Sequence, residues 1–391
     1  MNFISFRTAS TPILHAGPGM AGTIGEIIKM YGERILLITG AKSFDGSDAH
    51  LKLFEQLKDG GFEWQQYKVG SEPSPHTIDS AVSRFAAYNP MAVLAVGGGS
   101  VLDAGKAISA MIPLNESVKG YIERVGSNIH PGVKLPLIAV PTTSGTGSES
   151  TRNAVLSEVG VEGYKRSLRH VNFVSNATIL DPHLMVTCPP RVTAYSGMDA
   201  FTQLLESYLS SGSNFFSDLL AQEGLKHIAS SLRQAYRDGD DLDARLGMAI
   251  AAYLSGITLT NVGLGVVHGL AAVIGGYKNI PHGVICSALM PSANKITVRL
   301  LRTRTDGHLA LAKYAAAGRI FCDDKTRSED YYTDYLVELI AQWVTEMKIP
   351  RLSNYEITRA DIAKFAKSGE SKNNPVPFSF DEMTEMLEEA I

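Results

Sequence analysis

The chain is short of three things, and each shortage excludes a class of protein. Only 3 cysteines occur in 391 residues, Cys188, Cys286 and Cys322, widely separated and without a Cys-x-x-Cys pair. That usage excludes a disulfide framework and fits a reducing compartment. Neither sign of charge is in surplus: 36 basic against 40 acidic side chains leave a net of -4. The basic face of a nucleic-acid binder is therefore missing, as is the large net charge of a disordered tail. The first residues, MNFISFRTASTPILHAG, have no basic segment leading into an apolar run, so a secretory signal is not read and a cytoplasmic protein is expected. What is present is 45% apolar side chains over a length that suggests two domains, each with a core of its own.

Charge is missing altogether from Leu246 to Tyr277, a stretch long enough to span a bilayer. It also holds Ser255, Thr258, Thr260, Asn261, His268 and several glycines, and no second segment resembles it. A buried core is the reading, and no membrane is expected as a partner.

In the first half, short β-rich runs alternate with helical patterns, the mark of parallel strands joined by crossover helices. Strands are expected at 34–39, 91–96 and 135–140, the first closed by Gly40, the second by Gly97-Gly98-Gly99 and the third by Pro141. A doubly wound sheet of this kind binds ligands at the carboxyl ends of its strands. After Pro189-Pro190 the pattern turns to long helical periods, over about 193–209, 216–236, 242–254 and 331–347. The expected organisation is therefore an α/β nucleotide-binding domain over 1–188 and an all-helical domain over 189–391. A last helix is expected with Ser379 or Asp381 as its cap.

Three groups of residues bear on chemistry. Ala95-Val-Gly-Gly-Gly-Ser-Val-Leu-Asp-Ala-Gly-Lys106 puts three glycines between a strand and a helix, where backbone N–H groups and the helix N-terminus can approach a phosphate. It is neither a P-loop, which would need Gly at 100 and Ser or Thr at 107, nor a GxGxxG turn, since position 102 is Leu. Pro141-Thr-Thr-Ser-Gly-Thr-Gly-Ser-Glu149 follows the third strand with five hydroxyls and nothing apolar to pack, which suits a polar ligand. Asp199 and Gln203 lie four apart on one helix face, and His268 and His282 lie in or beside the uncharged stretch. Buried groups of this kind need a partner, either a hydrogen-bonding neighbour or a metal.

Together these segments resemble the iron-containing (group III) alcohol dehydrogenases, whose fold is that of dehydroquinate synthase. Gly97-Gly-Gly-Ser-Val-Leu-Asp-Ala-Gly-Lys106, Pro141-Thr-Thr-Ser-Gly-Thr-Gly-Ser-Glu149, Gly197-Met-Asp-Ala200, Asn261-Val-Gly-Leu-Gly-Val-Val-His268 and Asn279-Ile-Pro-His-Gly283 stand in the family's order over nearly the whole chain. The resemblance implies a cleft between two domains that holds nicotinamide, a small carbonyl or alcohol substrate, and a divalent metal, Fe or Zn. It implies cofactor contacts from Gly97, Gly98, Gly99, Ser100, Asp103, Thr142, Thr143, Thr146, Ser148 and Lys165, and a substrate-side position for Asn153. Asp199, Gln203, His268 and His282 become the metal set, with Asp199, His268 and His282 catalytic. A homo-oligomer, a homodimer at smallest, is implied as well.

Three departures qualify the resemblance. Gln203 stands where the first of the family's usual three His would be, four after the Asp, and an amide oxygen is the weaker ligand. Ala272 stands where many members carry a proton-relaying His, which leaves His170, Tyr164, Tyr277 or water for that role. Gly40 stands where relatives that prefer NAD carry an Asp. With Gly40, Lys42 and Ser43 there, the repulsion of a 2′-phosphate is gone, and NADP is expected to be accepted beside NAD, with a lean to NADP.

The expected function is hydride transfer between NAD(P)H and a small aldehyde or ketone, or the corresponding alcohol. The alternative is a metal-independent reductase of an anionic carbonyl substrate, similar to the maleylacetate or phosphonate-aldehyde reductases, with Arg152, Arg169 and His170 binding the anion. From other classes come a non-catalytic nucleotide-binding scaffold and a 2-His-1-carboxylate oxygenase. Retention of Asp199, His268 and His282 argues against the first of these, and the dinucleotide motifs against the second.

Overall fold

The computed structural model describes residues 5–41, 44 and 46–391. Its first half is built on a six-stranded, all-parallel sheet, in the order β1 (Ile13–Ala16), β8 (Ala177–Leu180), β5 (Leu137–Pro141), β4 (Ala92–Gly97), β2 (Arg34–Gly40), β3 (Glu63–Val69). Along β2 the side chains alternate between two cores. Leu36 and Ile38 pack with Ile78, Val82 and Phe85 of α3 (Pro75–Phe85) and with α4 (Gly99–Met111). Ile35 and Leu37 face α1 (Ile24–Lys29) and α2 (Asp48–Asp59) through Ile24, Ile28, Leu53 and Leu57. Covering both faces is what lets β4, β5 and the Ile35–Ile38 run of β2 be apolar. An antiparallel hairpin, β6 (Asn153–Glu158) with β7 (Tyr164–Arg169), stands apart from the sheet and closes over the α4 side through Ala154, Leu156 and Leu168.

The strands lie close to where the alternation placed them. The third begins at Leu137 because Pro136, which has no N–H to give a ladder, precedes it. Gly97 is in register with Pro141, so the glycine turn and the hydroxyl loop leave the sheet side by side.

The second half is helical: α5 (Pro190–Leu209), α6 (Phe215–Arg237), α7 (Leu242–Val262), α8 (Val266–Tyr277), α9 (His282–Arg302), α10 (His308–Phe321), α11 (Glu329–Glu346), α12 (Arg359–Ser368) and α13 (Phe380–Ala390). α5 opens on Pro190, whose missing N–H costs nothing at a first helical position. One core joins α5, α6, α7, α10 and α11, and another joins α8, α9, α12 and α13. Ser379 caps α13 by accepting the N–H of Glu382.

The uncharged stretch is the buried interior of this half. α7 is long and apolar enough to cross a membrane, but it packs through Ala244, Met248, Ala251 and Ala252 against α5 and α6. It also runs past Leu254, where the helix was expected to stop, as far as Val262. Two of its polar residues bond back within the helix, Thr258 donating to the Ser255 carbonyl and Asn261 to that of Ile257. Gly263, at φ 72°, ends it.

Candidate active site

A cavity of about 570 Å³ lies between the carboxyl edge of the sheet, the β6–β7 hairpin and helices α5, α7, α8 and α9. On the sheet side it is lined by Gly99, Ser100, Asp103, Thr146 and Ser148. The first N–H groups of α4 lack partners within their own helix, and no acidic residue of its first turn competes for them. Close packing fixes the turn. A Cβ at Gly99 would come within 2.6 Å of the Thr146 side chain, and one at Gly98 within 3.2 Å of the Thr143 hydroxyl. Asp103 is buried, and the Ser148 hydroxyl donates to it at 2.6 Å.

Beneath this wall Lys106 is buried and donates to the Ser148 carbonyl (2.6 Å), the Thr151 hydroxyl (2.8 Å) and the Asn153 carbonyl (2.8 Å). It shapes the hydroxyl loop from below and does not reach the cleft. Burial pulls its ammonium down to about 8 against the pull of Asp103 and Glu149. Lys165 lines the cleft and is held by Glu72 at 2.5 Å, whose other oxygen accepts from Ser157.

The helical wall carries the ionisable cluster. Asp199 lies in mid-α5, His268 in the first turn of α8, and His282 at the first residue of α9 with Cys286 one turn on. One donor atom from each of these four lies within 4.8 Å of the others. Asp199 Oδ1 is 3.3 Å from His268 Nε2 and 3.8 Å from His282 Nε2, while Cys286 Sγ is 3.7 and 3.6 Å from the same two nitrogens. Asp199 Oδ1 is buried and, although within ion-pair distance of both rings, makes no hydrogen bond. An orphaned carboxylate oxygen facing two imidazoles and a thiol is the arrangement a divalent ion completes.

Burial works against ionisation of Asp199, but His282 and His268 outweigh it and hold its carboxyl below the ordinary range. Burial likewise opposes charge on His268, yet Cys286, Glu206 and Asp199 raise it well above the ordinary imidazole value. Burial lowers His282 to about 4 and lifts the Cys286 thiol to about 12.

Gln203 departs from the expectation made for it. Its amide NH₂ donates to Asp199 Oδ2 at 3.1 Å, and its oxygen, the only atom that can ligate, lies 2.7 Å from the Ser255 hydroxyl. The donor at the cluster's fourth corner is Cys286 instead. His282 and Cys286 are four apart and share a helix face, a spacing legible in the sequence once α9 is assigned. Glu206 was also missed. It lies on the Asp199 face of α5, accepts from His268 Nδ1 at 2.6 Å and takes the Val267 N–H at 2.8 Å with its other oxygen.

Other expected site residues are dispersed. Asn153, Arg152 and Ala272 line the cleft. His170 does not: its Nδ1 accepts the Asn172 N–H to cap the one-turn helix 171–173, and its ring packs against Gly132 and Phe173. Tyr277 stacks edge-on against Phe365 under the Lys364 ammonium, and Tyr164 packs with the hairpin core, so neither reaches the cleft. Thr142 returns its N–H to the Gly97 carbonyl, and Thr143 supports Gly98; both sit behind the wall. Gly40 ends β2 beside Val69, away from this cavity, and Lys42 and Ser43 lie outside the described residues.

A parallel sheet thus faces a helical bundle across a cleft edged by an Asp/His/His cluster. Residues 11–182 match the model of iron-containing alcohol dehydrogenase and 193–391 that of the Fe-containing alcohol dehydrogenase family C-terminal region. The chain belongs to the iron-containing alcohol dehydrogenase family. It is 35% identical over 291 residues to long-chain-alcohol dehydrogenase 1 of Geobacillus thermodenitrificans, covering 73% of this chain and 72% of that protein. It is 31% identical over 381 residues to sulfoacetaldehyde reductase of Bilophila wadsworthia, covering 92% and 94%. The structure of sulfoacetaldehyde reductase from Bifidobacterium kashiwanohense in complex with NAD+ superposes with a TM-score of 0.84 at 24% identity, over 99% of each chain, which speaks to the fold.

Proposed function

We propose that this enzyme transfers hydride between a nicotinamide dinucleotide and the carbonyl carbon of a small aldehyde or ketone, or the corresponding alcohol, at a divalent metal held by Asp199, His268, His282 and Cys286. The observation that carries this reading is the convergence of those four donor atoms beside the cleft, which His268 and His282 line opposite the glycine turn. A carboxylate, two imidazoles and a thiol suit a borderline ion such as Zn²⁺ or Fe²⁺. Bound there, the ion would supply Lewis-acid polarisation of the carbonyl oxygen.

The chain's own residues do the rest. Gly99 and Ser100, at the α4 N-terminus, receive the pyrophosphate. Glu206 fixes the His268 ring so that Nε2 faces the cluster. Lys165, anchored by Glu72, stands on the cleft wall within the field of His282, between the nucleotide side and the cluster. Ala272 contributes no proton donor, and Tyr164, His170 and Tyr277 lie off the cleft, so the proton for the alkoxide enters through the solvent-open cleft.

The test is metal analysis of protein purified without chelator, beside an NADH and NADPH oxidation screen over neutral and anionic aldehydes. Asp199→Asn should lose metal and most turnover, while nucleotide binding stays within a few-fold. Normal kcat with unchanged metal content in that variant would refute the reading.

A further inference from the structure

The cleft is cationic although the chain carries a net charge of -4. Its lining includes six Lys and Arg side chains (Arg124, Arg152, Lys165, Arg166, Arg169, Lys372) against four carboxylates (Glu72, Asp103, Glu123, Glu370). Three of the cations are matched: Lys165 by Glu72, Arg169 by Glu123 at 3.0 Å, and Arg124 by Glu370 at 2.6 Å. Among the described residues, Arg152 has no carboxylate within ion-pair distance, and its Nε is buried with no acceptor. Burial and the neighbouring Arg169 both work against its charge, with only Glu123 in support.

Arg166 and Lys372 likewise have no carboxylate within ion-pair distance among the described residues, and Lys372 is the one that touches the cluster. It enters from the loop between α12 and α13 and donates to the main-chain carbonyl of His268 at 3.0 Å, which leaves two of its three N–H groups. It lines the same cleft as Arg152 and Arg169. An unpaired guanidinium nitrogen and a half-used ammonium beside a third cation make an arrangement that an anion relieves. The nucleotide pyrophosphate does not meet this need, because its cradle at Gly99 and Ser100 is on the sheet wall.

We propose that Arg152 and Lys372, with Arg169 beside them, form an anion subsite, and that the substrate is a short aldehyde bearing a sulfonate, phosphonate or carboxylate group. This deepens the hydride-transfer reading and rests on it. Lys372 touches the carbonyl of a residue whose ring belongs to the cluster, so the head group lies only a few bonds from the reacting carbon. Arginine's fork and lysine's ammonium together suit a multi-oxygen anion.

The experiment has two arms. In the first, kcat/KM is measured with NADH and NADPH for sulfoacetaldehyde, phosphonoacetaldehyde and succinic semialdehyde against propanal and butanal. The expected result is a preference of at least tenfold for one of the anionic aldehydes, and the order among them identifies the head group. In Arg152→Gln and in Lys372→Asn the anionic-to-neutral ratio should fall at least tenfold. Asn is chosen because Lys372 has φ 47°, which Asn tolerates. Equal use of both classes by the native enzyme, or a ratio unmoved by the variants, overturns the subsite. So does a loss confined to nucleotide affinity.

In the second arm, 2-hydroxyethanesulfonate and 2-hydroxyethylphosphonate are titrated calorimetrically into the protein with bound NAD(P)+, circular dichroism confirming the fold of each variant. Saturable binding weakened tenfold or more in either variant supports the subsite, and absence of binding overturns it. If no aldehyde is reduced with either nucleotide, the hydride-transfer reading fails, and this second arm still decides the subsite.

Discussion

Glu206 Oε2 stands 2.6 Å from Nδ1 of His268, and that one contact settles which ring nitrogen faces the cleft. With Nδ1–H committed to the carboxylate, Nε2 is left toward Asp199 Oδ1 at 3.3 Å. The two residues are 62 positions apart and meet only because tertiary packing brings the first turn of α8 up to α5.

From this contact follows the first prediction. Glu206→Gln keeps the size and a possible hydrogen bond but removes the charge that raises the basicity of His268. Metal affinity, read by chelator competition, should fall about 10–100-fold, as outer-sphere carboxylate losses generally do. Nucleotide affinity should move by less than about threefold, because the nucleotide wall is on the sheet side. Unchanged metal affinity would mean that Glu206 serves only the α8 backbone through Val267.

Cys286 gives the second. The cobalt-substituted protein should show a thiolate-to-metal charge-transfer band in the near ultraviolet, and Cys286→Ser should abolish it and lower metal retention during dialysis. A thiol releases its proton when it ligates, so loading should also protect Cys286 from thiol reagents. Gln203→His, placed beside Asp199, should raise retention. A cobalt spectrum without the band would exclude Cys286 from the coordination sphere.

Glu149 supplies a pH prediction. It is buried beneath the hydroxyl loop, and burial raises its carboxyl from 4.5 to about 7, more than its own N–H and Lys106 lower it. The folded state therefore keeps a proton that the unfolded chain releases between those values, and stability falls as pH rises through that window. Glu149→Gln removes the loss. Urea unfolding should find the variant about 1–3 kcal/mol more stable at pH 8 and little changed at pH 4. A variant that is less stable at pH 8 would show an ionised Glu149 paired with Lys106.

The fourth concerns nucleotide choice. Gly40 ends β2 without a carboxylate to repel a 2′-phosphate, so NADH and NADPH should bind within tenfold of each other, a gap under about 1.4 kcal/mol. Gly40→Asp should weaken NADPH selectively, by tenfold or more. NADPH binding more than tenfold weaker than NADH in the native protein would defeat the argument.

Local order was legible in the sequence wherever chemistry and period coincide within a few residues. β2, β4 and β5 are buried on both faces and read as continuous apolar runs; glycines mark the end of β4 because no Cβ fits against Val101 and Thr146. Asp199, His268 and His282 were readable because ionisable groups in apolar surroundings need a partner. Glu206, Lys106 and Lys372 were not assigned, since their roles depend on which neighbour a flexible polar side chain meets. The amide of Gln203 turned its oxygen to Ser255 and left the fourth corner to Cys286. Lys106, beside the glycine turn in sequence, is drawn under the loop by three acceptors spread over 148–153, and Lys372 arrives from a loop more than a hundred residues beyond His268. Period and composition carry information about a residue's own element. Partners 42 to 246 residues apart are set only when helices and sheet pack, because hydrogen bonds and ion pairs act over about 3 Å and the sequence holds no record of that distance.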